Sequence, residues 1–94
     1  MLNLNKIIKI VAKSIKVREK NISLTSKIGD FEDWDSLGHL GILLNLDKAL
    51  KGKAIKIKDL AEAHSVKKIL TILFMFLFSF INDNNYYSAH NISK

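Results

Sequence analysis

From Leu4 to Ile15 the apolar positions Leu4, Ile7, Ile8, Val11 and Ile15 recur at helical spacing, with Lys6, Lys9, Lys13 and Lys16 on the opposite side. That period predicts an amphipathic first helix, capped by Asn3 or Asn5, with a solvated basic face. Residues 17–35 lose the period, scattering Val17, Ile22, Leu24, Ile28, Phe31 and Trp34 among polar residues. So long a connection is expected to be a packed loop with short turns, its aliphatic side chains lying on the helices. A second helix is predicted from Ser36 to about Lys51, with Asp35 or Ser36 in the capping position and Gly52 just past the end. Its leucines, Leu37, Leu40, Leu43, Leu44, Leu46 and Leu50, cover most of a helical wheel and leave a narrow polar sector of Gly38, Gly41, Asn45 and Lys48. That distribution predicts a central helix buried on more than one side. After Ile55 and Ile57, a short helix over residues 58–63 and a last helix beginning at Val66, capped by Ser65, complete the pattern.

Residues 69–81 are apolar except for Thr71 and Ser79, thirteen positions in all, and are followed by an asparagine-rich polar tail from Asn82. Thirteen falls short of the ~20 residues that span a bilayer as a helix, so no membrane span is expected. The chain is divided accordingly into a helical domain over residues 1–73 and an apolar extension with a polar tail over residues 74–94. At least one face of Leu73, Phe74, Met75, Phe76, Leu77 and Phe78 is expected to lack cover, and to serve self-association, the docking of a partner or a membrane interface. The competing reading is that the segment folds back and is buried.

Composition narrows the class. Proline is absent and only 4 of 94 residues are glycine, while 48% are apolar, which favours helices over hairpin-rich sheet. The absence of cysteine excludes a disulfide framework, a thiolate metal site and a cysteine nucleophile,. His39, His64 and His90 lie too far apart in sequence to imply a metal site and are read as surface or half-buried residues, so no metal is expected. Residues 1–17 interleave lysines with aliphatic residues and lack the apolar core of a secretory signal, so a cytoplasmic location is expected.

The formal charge of +6 hides a segregation. Residues 30–47 carry five carboxylates and no Lys or Arg, whereas residues 48–68 carry seven lysines against Asp59 and Glu62. The basic first helix, with Lys53, Lys56 and Lys58, admits an alternative reading as a nucleic-acid- or membrane-surface-binding module. Nucleic acid is not the expected partner, because aromatic interleaving and any recognised motif are missing and the acidic segment repels phosphate.

The most informative stretch is residues 28–40, IGDFEDWDSLGHL. A serine that opens a helix keeps its hydroxyl at the surface, and a phosphate attached there meets backbone N–H groups and the positive end of the helix dipole. Asp35-Ser36-Leu37 at the start of a leucine-rich helix resembles the prosthetic-group attachment motif of acyl carrier proteins. The frame around it strengthens the likeness: Leu24, Gly29 and Trp34 upstream, Leu40, Leu43 and Leu44 after it, then Ile55, Ile57 and the Ser65-Val66 helix, over about residues 4–73. The resemblance implies an all-α, small four-helix bundle with a short third helix, and a covalent 4'-phosphopantetheine arm on Ser36 flanked by Asp35 and Leu37. It implies a carrier, not an enzyme, that holds acyl groups as thioesters for fatty-acid or specialised lipid or polyketide-type biosynthesis. Its partners would be a phosphopantetheinyl transferase and acyl-loading, acyl-transferring or condensing enzymes.

Members of that family carry carboxylates along the exposed side of the second helix, where this chain has only Asp47. Docking is therefore expected through the loop carboxylates Asp30, Glu32 and Asp33, through Asp47, and through the apolar Leu37 and Ile42. A hydrolytic reading, with Ser36 as nucleophile, His39 as base and Asp35 as its orienter, lacks a nucleophile elbow and a second element to supply an oxyanion hole.

Overall fold

The computed structural model describes residues 3–76. The described residues form an all-α structure of three α-helices, α1 (Leu4–Ile15), α2 (Ser36–Ala49) and α3 over residues 66–76. Three 3₁₀ turns, Glu19–Asn21, Ala54–Lys56 and Lys58–Glu62, lie in the connections. The last of these stands where the sequence predicts a short helix. Its N–H groups reach back three residues, from Leu60 to the Ile57 carbonyl and from Ala63 to the Leu60 carbonyl, as expected of a segment too short to propagate an α-helix.

Each α-helix begins at a side chain that accepts a hydrogen bond from a backbone N–H otherwise without a partner. Asn3 accepts from the Lys6 N–H at 2.9 Å, Asp35 from that of Gly38 at 2.8 Å and Ser65 from that of Lys68 at 3.0 Å. At the start of α3 the loop supplies more: the Val66 and Lys67 N–H groups donate to the Ser26 and Leu24 carbonyls. Four orphan donors open any helix, and here satisfying two of them stitches the 17–35 loop to α3. α2 ends at Ala49, two residues earlier than predicted, where Gly52 at φ +84° returns its N–H to the Asp47 carbonyl.

The core takes Ile7, Val11 and Ile15 from α1, Ile42 and Leu46 from α2, Val66, Ile69 and Leu73 from α3, with Trp34, Ile22 and Leu60 from the connections. The spacings are those of single helix faces. Lys6, Lys9 and Lys13 are exposed opposite the buried face of α1.

The leucines of α2 do not all turn inward as the wheel suggests: Leu37, Leu40 and Leu44 are 76, 51 and 54% exposed. Its sector of small and polar residues faces α1 instead, where the Asn45 side-chain amide donates to the Ser14 hydroxyl at 2.8 Å and Ser14 donates to the Ile10 carbonyl. Gly38 and Gly41 line a cleft with Ser14 and Lys16 on the same side. The buried line His39, Ile42 and Leu46 faces the core, so Leu37, Leu40 and Leu44 across the helix from it are turned outward,.

In α3, Leu73 is buried while Phe74 and Met75 are exposed, so Leu73 does not belong to the uncovered face expected of this run. Leu77, Phe78 and the remainder of the predicted extension and tail lie outside the described residues. Among the described residues no helix is long and apolar enough to cross a membrane.

Candidate functional site

Ser36 is the first residue of α2 and is exposed. The residues before it form a tight turn system. Gly29, at φ +91°, donates its N–H to the Trp34 carbonyl at 2.9 Å, and Trp34 donates its own to the Phe31 carbonyl at 3.0 Å. The Asp30 carboxylate accepts from the Lys27 N–H at 3.0 Å, so this predicted docking residue also closes a turn. Asp35 then takes extended backbone geometry and caps the helix. Gly38 is required by the same turn, because a Cβ built there would overlap the Asp33 carbonyl. The serine hydroxyl thus stands at a rigid, capped helix start, with the positive end of the α2 dipole beneath it.

Beneath Ser36 the geometry depends on His39, one turn further along α2. His39 is 3% exposed, and its ring lies nearly parallel to that of Trp34, 6.5 Å between centroids. The Trp34 indole N–H donates to Nδ1 at 3.4 Å, and Nε2 lies 3.0 Å from the Leu60 carbonyl. A carbonyl only accepts, so Nε2 carries the proton and Nδ1 is left as the acceptor the indole needs. This network is satisfied only by the neutral imidazole. Burial lowers the His39 pKa from its ordinary value; the Leu60 hydrogen bond opposes this, and His64, edge-on at 5.0 Å, adds to it.

His39 was expected at the surface or half-buried; it is a core residue that ties the start of α2 to the Lys58–Glu62 turn. Both its ring nitrogens are engaged inside the core, so the Ser36, His39 and Asp35 relay is not assembled. Periodicity alone carried a signal for this, since His39 falls three residues before Ile42 and seven before Leu46 on the buried line of α2. Among the described residues no group of three or more His, Asp or Glu converges as a metal site.

The predicted docking residues separate into two groups. Asp30, Glu32 and Asp33 are exposed on the loop before Ser36, and Leu37 is exposed beside it. Ile42 is fully buried against the core, which corrects its assignment to a docking surface: its position on the His39–Leu46 line turns it away from solvent. Leu40 and Leu44 occupy the outward positions instead, which sequence reasoning had placed in the core. Asp47 is half-buried at the edge of an apolar groove of about 170 Å³ between α2 and the two later 3₁₀ turns. Leu40, Leu43, Leu44, Ala54, Ile57 and Leu60 line it.

Comparison with family models, with curated proteins and with solved structures returns no match.

Proposed function

We propose that this chain is an acyl carrier protein whose 4'-phosphopantetheine arm is esterified to Ser36. The observation that carries the reading is the exposed Ser36 hydroxyl at the first position of α2, within Asp35-Ser36-Leu37, on a helix start held by Asp35 and by the buried Trp34–His39 pair. In this reading the Lys58–Glu62 turn takes the place of the short third helix of a four-helix bundle.

The residues present fit the arm. A phosphodiester on Ser36 projects into solvent, clear of the core, and its charge lies at the favourable end of the α2 dipole. The arm supplies the thiol that a chain without cysteine lacks. The apolar groove beside Leu40 and Leu44 suits the first carbons of an acyl chain, since apolar cavities of ~150 Å³ admit a benzene ring. The carboxylates of Glu32 and Asp33 next to Ser36 give a basic partner enzyme a target, and Leu37 gives it an apolar contact. Such a carrier works in the cytoplasm beside a phosphopantetheinyl transferase and enzymes that load, transfer or condense acyl groups.

Incubation with coenzyme A and a broad-specificity phosphopantetheinyl transferase is expected to add one arm to the wild-type chain and none to Ser36→Ala. A folded wild-type chain left unmodified by several such transferases contradicts the proposal.

A further inference from the structure

The outward line of α2 has a charge order that the carrier reading does not use. Leu37, Leu40 and Leu44, at i, i+3 and i+7, form one exposed apolar stripe along the helix,. At its N-terminal end Asp33 and Asp35 share a cleft with Leu37, and Asp30 and Glu32 stand on the same loop; Lys16 is the basic side chain lining that cleft. At its C-terminal end Lys48 follows Leu44 by one turn, past the groove that Leu40 and Leu44 line. Exposed Lys51, Lys53 and Lys56 lie close along the chain, with Asp47 the acidic residue in that groove. A helix of 14 residues is ~21 Å long,. The acidic and basic ends are therefore separated by more than the ~8 Å Debye length at physiological salt, and neither neutralises the other within one chain.

We propose that this face pairs with the same face of a second copy, the two α2 helices antiparallel about a two-fold axis near Leu40. A two-fold axis reverses the stripe, so the acidic end of each copy meets the basic end of the other while the leucines meet in the middle. The helix dipoles oppose as well. A parallel pairing sets like charge on like charge at both ends, and a uniformly charged partner or lipid surface matches only one end of the stripe. Three leucines and a shallow groove offer less than the ~800 Å² per partner of a standard interface, so the pair is weak, reversible and sensitive to salt. Ser36, next to Leu37, sits at the edge of the paired face. The inference stands on the charge order and exposure of α2 and does not depend on the arm.

Sedimentation equilibrium of the full chain across a concentration series tests it, using exposed substitutions whose helicity circular dichroism verifies. The wild-type chain is expected to associate reversibly to a dimer, less so at high salt, and Leu40→Glu to stay monomeric. Glu32→Lys with Asp33→Lys makes both ends basic, and Lys48→Glu with Lys51→Glu and Lys53→Glu makes both ends acidic, so each variant is expected to be monomeric alone. An equimolar mixture of the two is expected to regain the dimer. A monomeric wild-type chain, a mixture that stays monomeric, or a dimer that survives Leu40→Glu, which would place the contact at the exposed Phe74 and Met75 instead, each overturns the proposal.

Discussion

Acid is expected to weaken the fold through His39, and the effect can be isolated. The neutral ring accepts from the buried Trp34 N–H and donates to the Leu60 carbonyl; protonation removes the Nδ1 lone pair and sets two N–H groups against each other. With the folded-state pKa below the ordinary ~6.5,, the unfolded chain binds the proton more readily. Stability from this site is thus complete above the ordinary value and is lost as pH falls through the window down to the lowered one. His39→Ala removes the ring and leaves the Trp34 N–H without its acceptor, while the Leu60 carbonyl keeps the Ala63 N–H at 3.1 Å. The orphaned donor and the cavity together cost about 3–5 kcal/mol, a large share of the ~5–15 kcal/mol available to a small domain. His39→Gln is the better probe, because its amide supplies one acceptor and one donor and the cost is about 1 kcal/mol. Urea unfolding followed by the fluorescence of Trp34, the single tryptophan, reads the site directly. The stability gap between wild type and His39→Gln should narrow as pH falls below ~6.5, because contributions from carboxylates and the other histidines cancel in the difference. A gap that stays constant from neutral to acid pH refutes the assignment of a buried neutral imidazole.

Other substitutions follow from the same contacts. Asp35→Ala should cost about 0.5–2 kcal/mol in urea unfolding through the lost cap, whereas Ser36→Ala, exposed and outside the cap bond, should stay within about 0.5 kcal/mol of wild type. Gly38→Ala should destabilise by about 1–3 kcal/mol, since the Asp33 carbonyl must give way to the new methyl,. Asn45→Ala should cost about 1 kcal/mol by breaking the hydrogen bond to Ser14 between α1 and α2,. Reversing Glu32 and Asp33 should slow modification of Ser36 in a salt-dependent way, read as initial rates with a transferase, and more so than reversing Asp47.

How far the sequence is legible differs between elements for physical reasons. α1 and the start of α3 can be read because periodic apolar residues coincide with a capping Asn3 or Ser65. The start of α2 can be read because Asp35 precedes a leucine run. The orientation of α2 cannot, because a wheel apolar over most of its circumference carries little phase information. What decides it is the packing of His39, Ile42 and Leu46 into the core and the bond from Asn45 to Ser14 of α1, whereas Gly38, Gly41 and Asn45 look like a solvent face when read by polarity alone. That misreading buried Leu40 and Leu44 and left Ile42 on the surface. The segment over residues 58–63 is too short for periodicity to tell a 3₁₀ turn from an α-helix. The Trp34–His39 pair joins residues five apart across a loop–helix boundary, where no single period applies, although the line from His39 through Ile42 to Leu46 marks the histidine as inward.

Fragment-ion mass spectrometry of the chain after reaction with coenzyme A and a transferase shows whether the Ser36 hydroxyl carries a phosphopantetheine arm. A single arm located on Ser36 is expected, with Ser36→Ala unmodified and still folded; no modification of the folded wild-type chain, or an arm located on any other residue, refutes the carrier reading.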